Sequence, residues 1–356
     1  MSESSVPAAD EILGAPSPPV SSNPKAWVFP GPTDELFEAL KAERYRKIIL
    51  QVPAGLTRNA HDIASRIASA TGASVVVAAR ACFGGCDFPS KDESVGAEAQ
   101  VVLGHAPIPN VPLAMPTFFV EMRHPGGDPE GLAEIVRAGS LPARLGLVVS
   151  IQHLDLVPAL REALARRGYT TFTGTGDRRL AYAAQALGCN YTSAESVSAD
   201  VDAFLFVGTG SFHPIGLAFA VDKPVFTLDP LQNLLEPPID RGALIRKRQL
   251  TVAQAMSARS FGILVSSFAG QNRSSTAYAL QRRAITAGRD AEIIVCGRLE
   301  PGDLEGRALD AYVNTACPRI ALDDGALYQR PMLTVPEFLM ALGELPVEPY
   351  RFDTYH

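Results

Sequence analysis

Residues 47–78 read KIILQVPAGLTRNAHDIASRIASATGASVVVA, and this stretch contains one complete strand–helix–strand unit. The β-rich runs Lys47–Val52 and Ser74–Ala78 predict two short strands, and Asn59–Thr71 between them predicts a helix. The same order of strand, loop and helix recurs along most of the chain. Strands that alternate with helices indicate parallel sheets covered by helices on both faces.

The predicted strands fall into three sets of about four, and each set extends over roughly 100 residues. The first set adds Gln100–Leu103 and Thr117–Glu121 to the two strands above; the second contains Leu145–Ile151, Thr170–Thr173, Phe204–Val207 and Pro224–Leu228; the third contains Phe261–Ser266, Glu292–Val295, Ala311–Thr315 and Met332–Val335. We therefore expect an α/β protein with three similar domains, at residues 34–140, 141–238 and 239–356.

The composition is that of a folded protein with ample core, since 47% of its 356 residues are hydrophobic and 20% are charged. We see no apolar run long enough to cross a bilayer and no secretory signal, so we expect a cytoplasmic protein. The net charge of −6 argues against general nucleic-acid binding. Residues 1–33 are rich in Pro and Ser and predict a disordered tail, from which Trp27 and Phe29 can dock on the folded body.

The five cysteines are an odd number without a secretory signal, which favours metal ligation or buried thiols over disulfides. Cys82 and Cys86 lie in the segment CFGGCD, directly after a predicted strand. A conventional radical S-adenosylmethionine loop, C-x-x-x-C-x-x-C, has a third cysteine where this chain has Pro89. The local motif is therefore incomplete, and any cluster must recruit thiolates from elsewhere in the chain.

Cys86, Cys189 and Cys317 each lie at a loop or element end in a different predicted domain, and such ends face the crevices where ligands bind. If they converge, they bind three irons of a [4Fe-4S] cluster and leave the fourth open; scattered structural cysteines are the alternative. Cys296 ends an apolar strand and is interpreted as a core thiol. The turn Gly208–His213 either cradles a small ligand with its backbone N–H groups or is only a tight turn.

The segment Val313–Asp324 reads VNTACPRIALDD and resembles the third-domain signature of the diphthamide synthase iron–sulfur family. Further segments match that family in order: QVPAGL at 51–56, FGGCD at 83–87, LGCN at 187–190, VGTGSFHP at 207–214, and GILV at 262–265 leading to Gln271. The resemblance covers about residues 35–345. The chain departs from the family pattern at Phe83, where Tyr is frequent, and at Gly85, where Ala is frequent.

The resemblance implies three pseudo-symmetric α/β domains around a central [4Fe-4S] cluster, with Cys86, Cys189 and Cys317 as its ligands. It also implies S-adenosylmethionine as cofactor, an electron donor, translation elongation factor 2 as protein substrate, and the homodimer of the single-subunit archaeal form. In the family's reaction the sulfonium bond to the methionine Cγ breaks and methylthioadenosine leaves. The 3-amino-3-carboxypropyl group then adds to C2 of a histidine.

The candidate contacts to S-adenosylmethionine are Phe83, Gly84, His213, Gln271 and Arg319, and Arg319 is expected to pair with the carboxylate of the cofactor. Two alternative functions remain open. Quinolinate synthase also combines three α/β domains with three cluster cysteines, but it works without S-adenosylmethionine. A non-catalytic protein with structural zinc is the other alternative, although such sites normally take four ligands in sequence pairs.

Overall fold

The structure, a computed structural model, describes residues 24–89, 93–124 and 126–356. Residues 1–23 of the predicted tail lie outside the described residues. The described strands form three sheets, one in each successive part of the chain, and helices flank them. This confirms the predicted α/β fold. None of the described helices is long and apolar enough to cross a membrane.

The first sheet is entirely parallel and takes an additional strand from the N-terminal side of the chain. Its elements are β1 (Ala26–Phe29), α1 (Asp34–Glu43), β2 (Lys47–Gln51), α2 (Ala60–Thr71), β3 (Ser74–Val77), β4 (Ala99–Leu103) and β5 (Thr117–Val120). The strand order is β1-β5-β4-β2-β3. All residues of β4 and β5 are buried, as is typical of parallel strands that are covered on both faces.

The second sheet is parallel except for one edge strand. Its elements are α3 (Pro129–Ala138), β6 (Arg144–Val149), α4 (Val157–Ala165), β7 (Thr170–Phe172), α5 (Thr192–Glu195), β8 (Ala203–Val207), α6 (Phe212–Ala220), β9 (Val225–Asp229) and β10 (Leu234–Glu236). The order is β10-β9-β8-β6-β7, and β10 pairs antiparallel with β9.

The third sheet has the order β12-β11-β13-β14 and is parallel throughout. Its elements are α7 (Arg241–Ala255), β11 (Ser260–Ser266), α8 (Ser274–Thr286), β12 (Asp290–Cys296), β13 (Ala311–Asn314), α9 (Pro318–Leu322), β14 (Met332–Leu333) and α10 (Val335–Ala341).

The strand sets β2–β5, β6–β9 and β11–β14 share one spatial order, in which the first and third strands are central neighbours. From each central pair the chain continues toward opposite edges of the sheet. This reversal opens a crevice at the carboxyl ends of the two strands, where ligands of α/β sheets bind. All three sheets therefore have the same kind of ligand-binding edge.

Two predicted limits differ from the structure. The tail predicted to end at residue 33 contains β1, which pairs with β5, and Trp27 stacks on Phe118 with ring centroids 4.1 Å apart. The domain limit at residue 140 falls one helix too late, because Leu132, Ala133 and Val136 of α3 belong to the core of the second sheet. Both differences have one cause. A short strand or helix packs with the sheet that buries its apolar side chains, whatever the composition of the neighbouring residues.

Candidate metal centre

Cys86, Cys189 and Cys317 follow strands of three different sheets and come together in the folded chain. Cys86 lies between β3 and β4, Cys189 between β7 and β8, and Cys317 between β13 and α9. Burial first, and then the Cys189 thiol, raise the pKa of Cys86 to about 11, whereas Arg179 and Gln271 oppose the rise. Burial, followed by Cys189 and Cys86, also raises the pKa of Cys317. The three predicted ligands therefore share one buried site.

Local turns position the second and third thiols. Leu187 and Asn190 exchange backbone hydrogen bonds of 3.1 Å, which closes a tight turn with Cys189 inside it. Asn314 donates from Nδ2 to the Cys317 carbonyl at 2.7 Å, and its Oδ1 accepts from the backbone N–H of Ala316 at 3.0 Å. Asn190 Oδ1 likewise accepts from the backbone N–H of Thr192 at 3.0 Å, so in both cysteine motifs the Asn side chain holds the backbone of its loop.

Glycines allow the loops to approach closely around Cys86. A Cβ on Gly270 would lie 2.5 Å from the Cα of Cys86, and a Cβ on Gly85 would lie 2.5 Å from the carbonyl oxygen of Ala106. Gly85 therefore has to be glycine here, although alanine is frequent in the resembling motif. The predicted site residue Gln271 donates from Nε2 to Cys86 Sγ at 3.5 Å, and Gly84 adjoins the same sulfur.

The donor set of the site consists of thiols. Across the described residues, no group of three or more His, Cys, Asp or Glu side chains has the arrangement of a metal-ion site. A single ion draws all its ligands to about 2.0–2.3 Å, whereas a four-iron cluster takes one thiolate per iron and therefore holds them further apart. Buried thiols with a raised pKa become thiolates when a metal group supplies positive charge. The three cysteines fit an iron–sulfur cluster on these grounds.

The other two cysteines have different surroundings. Cys82 is 3% exposed and packs against Val102 and Phe119, with its sulfur 3.3 Å from the carbonyl oxygen of Gly84. Cys296 is half-buried at the end of β12 and approaches the carbonyl oxygen of Val265 at 3.5 Å. Cys82 is thus the more deeply buried core thiol, and Cys296 belongs to an edge strand.

Arg319 is 3% exposed and lies near Cys317, but most of its guanidinium is already engaged. Its Nε and Nη2 each donate to the Asp323 carboxylate at 2.6 Å, and its guanidinium lies 4.3 Å from the Phe212 ring centroid. Nη1 is buried without a hydrogen-bond partner. Arg319 therefore keeps one nitrogen, Nη1, for the predicted pairing with the cofactor carboxylate, because Asp323 accepts from the other two.

His213 stacks on Phe206 with ring centroids 5.8 Å apart and meets Phe212 edge-on. Burial, and then Arg319, lower the pKa of His213 to about 4, so its imidazole is neutral at pH 7. Phe83, in contrast, is 67% exposed beneath the guanidinium of Arg298, 4.1 Å from its ring centroid. The structure thus places Gln271 and Gly84 beside Cys86, places His213 with Arg319, and leaves Phe83 at the surface.

The sequence analysis missed the C-terminal segment as part of this site. The backbone N–H of Tyr355 donates to the carbonyl oxygen of Cys189 at 2.8 Å, and Asn190 Nδ2 donates to the carbonyl oxygen of Tyr355 at 2.9 Å. Arg273 holds Asp353 through two hydrogen bonds, of 2.7 and 2.8 Å. The segment has no apolar periodicity, so no signal in the sequence pointed to it.

Comparison with known proteins identifies the family. A family model described as "Putative diphthamide synthesis protein" matches residues 52–351. The chain belongs to the diphthamide synthesis protein family. This confirms the resemblance inferred from the cysteine motifs and decides against a quinolinate-synthase-like enzyme.

The similarity to individual members of the diphthamide synthesis family covers most of the chain. The 2-(3-amino-3-carboxypropyl)histidine synthase of Pyrococcus horikoshii is 34% identical over 90% of this chain and 92% of that protein. Subunit 1 of the Homo sapiens synthase is 26% identical over 87% of this chain and 71% of that protein. The crystal structure of Dph2 from P. horikoshii with a 4Fe-4S cluster has a TM-score of 0.82 and 33% identity, over 91% of this chain and 93% of that chain.

Proposed function

We propose that this chain is a 2-(3-amino-3-carboxypropyl)histidine synthase that modifies a histidine of translation elongation factor 2 in the first step of diphthamide biosynthesis. The observation that carries this proposal is the meeting of three buried thiols, Cys86, Cys189 and Cys317, from three sheets. The similarity to a cluster-containing Dph2 over 91% of this chain supports it.

In this proposal Cys86, Cys189 and Cys317 hold three irons of a [4Fe-4S] cluster and leave the fourth iron open to S-adenosylmethionine. When bound, the cluster supplies the electron that breaks the sulfonium bond to the methionine Cγ. Methylthioadenosine is released, and the 3-amino-3-carboxypropyl group replaces the hydrogen at C2 of the target imidazole. That hydrogen would leave as a proton and one electron would return to the oxidised cluster, so that the transfer is redox-neutral overall.

The side chains around the thiols bind and orient rather than react. Gln271 fixes the sulfur of Cys86, and the neutral His213 offers a hydrogen bond without a charge. Arg319 gives one hydrogen bond from Nη1 to the cofactor carboxylate, because Asp323 occupies its other nitrogens. Which sulfonium bond breaks then depends on which carbon this pocket holds beside the open iron.

The proposal includes a protein substrate, an electron donor and a homodimer that acts in the cytoplasm. The exposed ring of Phe83, three residues before Cys86, supports access by a macromolecule, since the first-sheet loop reaches the surface there. The family resemblance of the motifs supports the homodimer and the electron donor.

The proposal is tested with anaerobically reconstituted full-length protein, dithionite and carboxyl-labelled S-adenosylmethionine. Methylthioadenosine is the expected main product, and label is expected to pass to elongation factor 2 when that protein is present. Arg319→Ala is expected to weaken cofactor binding more than it changes the cleaved bond. If 5′-deoxyadenosine dominates, the proposed geometry is wrong; if the purified protein holds zinc and no iron, the function is wrong.

A further inference from the structure

Arg179 is a buried cation beside the thiols and lacks an acidic partner. Its side chain is 2% exposed, and Nη2 donates to the carbonyl oxygen of Gly270 at 2.8 Å. Its Nε is buried without any hydrogen-bond partner, and Arg179 forms no ion pair with a carboxylate of the described residues. Buried charges in proteins are normally paired, so an anion is missing from this arrangement.

Three arginines lie near the thiols, Arg179 and Arg319 buried and Arg273 half-buried, and a comparison among them shows which one lacks a carboxylate partner. Arg273 is neutralised by Asp353 at 2.7 Å, and Arg319 by Asp323 at 2.6 Å. Arg179 has no such carboxylate and interacts electrostatically with Cys189 and Cys86 instead. One uncompensated positive charge therefore faces two of the three thiols.

The C-terminal segment holds this charge in place. The guanidinium of Arg179 lies 4.1 Å from the ring centroid of Tyr355, and the guanidinium of Arg273 lies 4.7 Å from the same ring. The ring is 4% exposed, and the adjoining backbone is hydrogen-bonded to Cys189. Cation–π contacts of this kind are strongest where water is excluded.

We propose that Arg179 is a positioning residue that balances the negative charge of the thiolate-bound cluster and favours its reduced state, and that the Tyr355 ring holds the guanidinium there. This inference rests on the proposed function. Reduction adds one negative charge to the cluster, and a nearby cation in a dry environment stabilises that charge. Removal of the cation lowers the reduction potential for the same reason.

The test compares Arg179→Gln with Arg178→Gln in the full-length, anaerobically reconstituted protein. Arg178 is the exposed neighbour, so its variant removes the same charge from the surface. For Arg179→Gln we expect about a tenfold lower ratio of reduced to oxidised cluster at a fixed applied potential, which is a shift of about 59 mV for one electron. Arg178→Gln is expected to match the wild type, with spectroelectrochemical titration and iron content as the readouts.

A second pair of variants separates charge from folding. Arg179→Lys keeps the charge and is expected to retain iron and a potential near that of the wild type, even if Arg179→Gln loses iron. Tyr355→Phe keeps the ring face and is expected to be unchanged, whereas Tyr355→Leu is expected to shift in the direction of Arg179→Gln. A wild-type potential in Arg179→Gln, or equal shifts in the Lys and Gln variants, would overturn the inference. Absence of iron from the wild type would instead refute the proposed function.

Discussion

The first and third sheets share a strand order, yet they supply their thiols from different loops. In the first sheet, Cys86 lies between β3 and β4, the second and third strands of the repeated set β2–β5. In the third sheet, Cys317 follows β13, the third strand of the set β11–β14. The third-sheet connection that corresponds to the Cys86 loop begins after Cys296 and extends Arg298 toward the first sheet. There Arg298 donates to the carbonyl oxygen of Ala81 at 2.9 Å and lies 3.5 Å from the Asp87 carboxylate.

This difference shows that the repeated fold determines at which edge of the sheet a thiol can lie. It does not determine which loop at that edge carries the thiol. In all three sheets the parallel strands lead into loops at one common edge, where their carboxyl ends lie, and any of these loops can hold a ligand. In the third sheet, the loop after the second strand braces the Cys86 loop instead of carrying a thiol. Cys296, at the end of that second strand, therefore remains outside the group of three.

The largest expected effect distinguishes the three thiols from Cys296. Cys86→Ala, Cys189→Ala and Cys317→Ala are each expected to lose bound iron and methylthioadenosine formation, because two thiolates hold the cluster too weakly. Cys296→Ala is expected to keep both, since its sulfur contacts the Val265 backbone. Iron, sulfide and visible absorbance after anaerobic reconstitution measure the outcome. Full iron content in Cys189→Ala would exclude a site shared by three sheets.

The next effect concerns the edge strands that extend the first two sheets, β1 in the first and β10 in the second. Deletion of residues 1–30 removes β1 and the Trp27 stack on Phe118, and we expect the free energy of unfolding to fall by about 3–5 kcal/mol. Urea denaturation measures it. Deletion of residues 1–23 leaves every described contact in place and serves as the control. Equal stability of the two truncated proteins would show that β1 contributes little to the sheet.

A Cys82 variant tests which of the two thiols of one loop, Cys82 or Cys86, binds the cluster. Cys82→Ser is expected to retain iron and activity, because the thiol packs against Val102 and Phe119 in an apolar cluster. The buried hydroxyl is expected to cost about 1–2 kcal/mol of unfolding free energy. Cluster content and urea denaturation are the two measurements. Loss of iron together with unchanged stability would mean that Cys82 is the ligand in place of Cys86.

Arg298 tests the brace between the first and third sheets. Arg298→Ala is expected to lower the unfolding free energy by about 1 kcal/mol, through the loss of the contacts to Ala81, Asp87 and the Phe83 ring. Arg307→Ala removes an exposed ion pair with Glu292 from the same loop and is the matched control; its effect is expected within about 0.5 kcal/mol. Equal losses in the two variants would contradict the bracing role.

The last effect appears only at acidic pH and concerns the second sheet. Burial and Arg319 lower the pKa of His213 in the folded protein to about 4, whereas the unfolded chain protonates near pH 6.5. The unfolded state therefore binds more protons in that window, and stability falls as the pH drops from about 6.5 toward 4. His213→Gln is expected to show a smaller decrease in Tm from pH 7 to pH 5 than the wild type. His61→Gln, on the exposed side of α2, is expected to follow the wild type.

The strand pattern was predictable because the buried parallel strands are short runs of apolar and β-branched residues. The twelve strands read from the sequence, from Lys47–Val52 to Met332–Val335, are all present with ends that differ by a few residues. The three thiols were predicted as one group because their motifs, NTACPR above all, resemble a family, and the fold brings these thiols together. That choice needed recognition of the motifs, since spacing alone left scattered cysteines as an alternative.

Tertiary structure alone decided the rest. The segment AWVF is too short and too close to a Pro-rich region to predict β1, and only the exposed edge at β5 gives it a partner. The spacing of Arg319 and Asp323 already permits a local i,i+4 ion pair, but the burial of Arg319 depends on how α9 packs. Arg179, Arg273 and Tyr355 come from distant parts of the chain, so no local periodicity links them. Apolar patterns specify which residues are buried within an element, whereas the partner of a buried charge depends on which loops the packed sheets bring together.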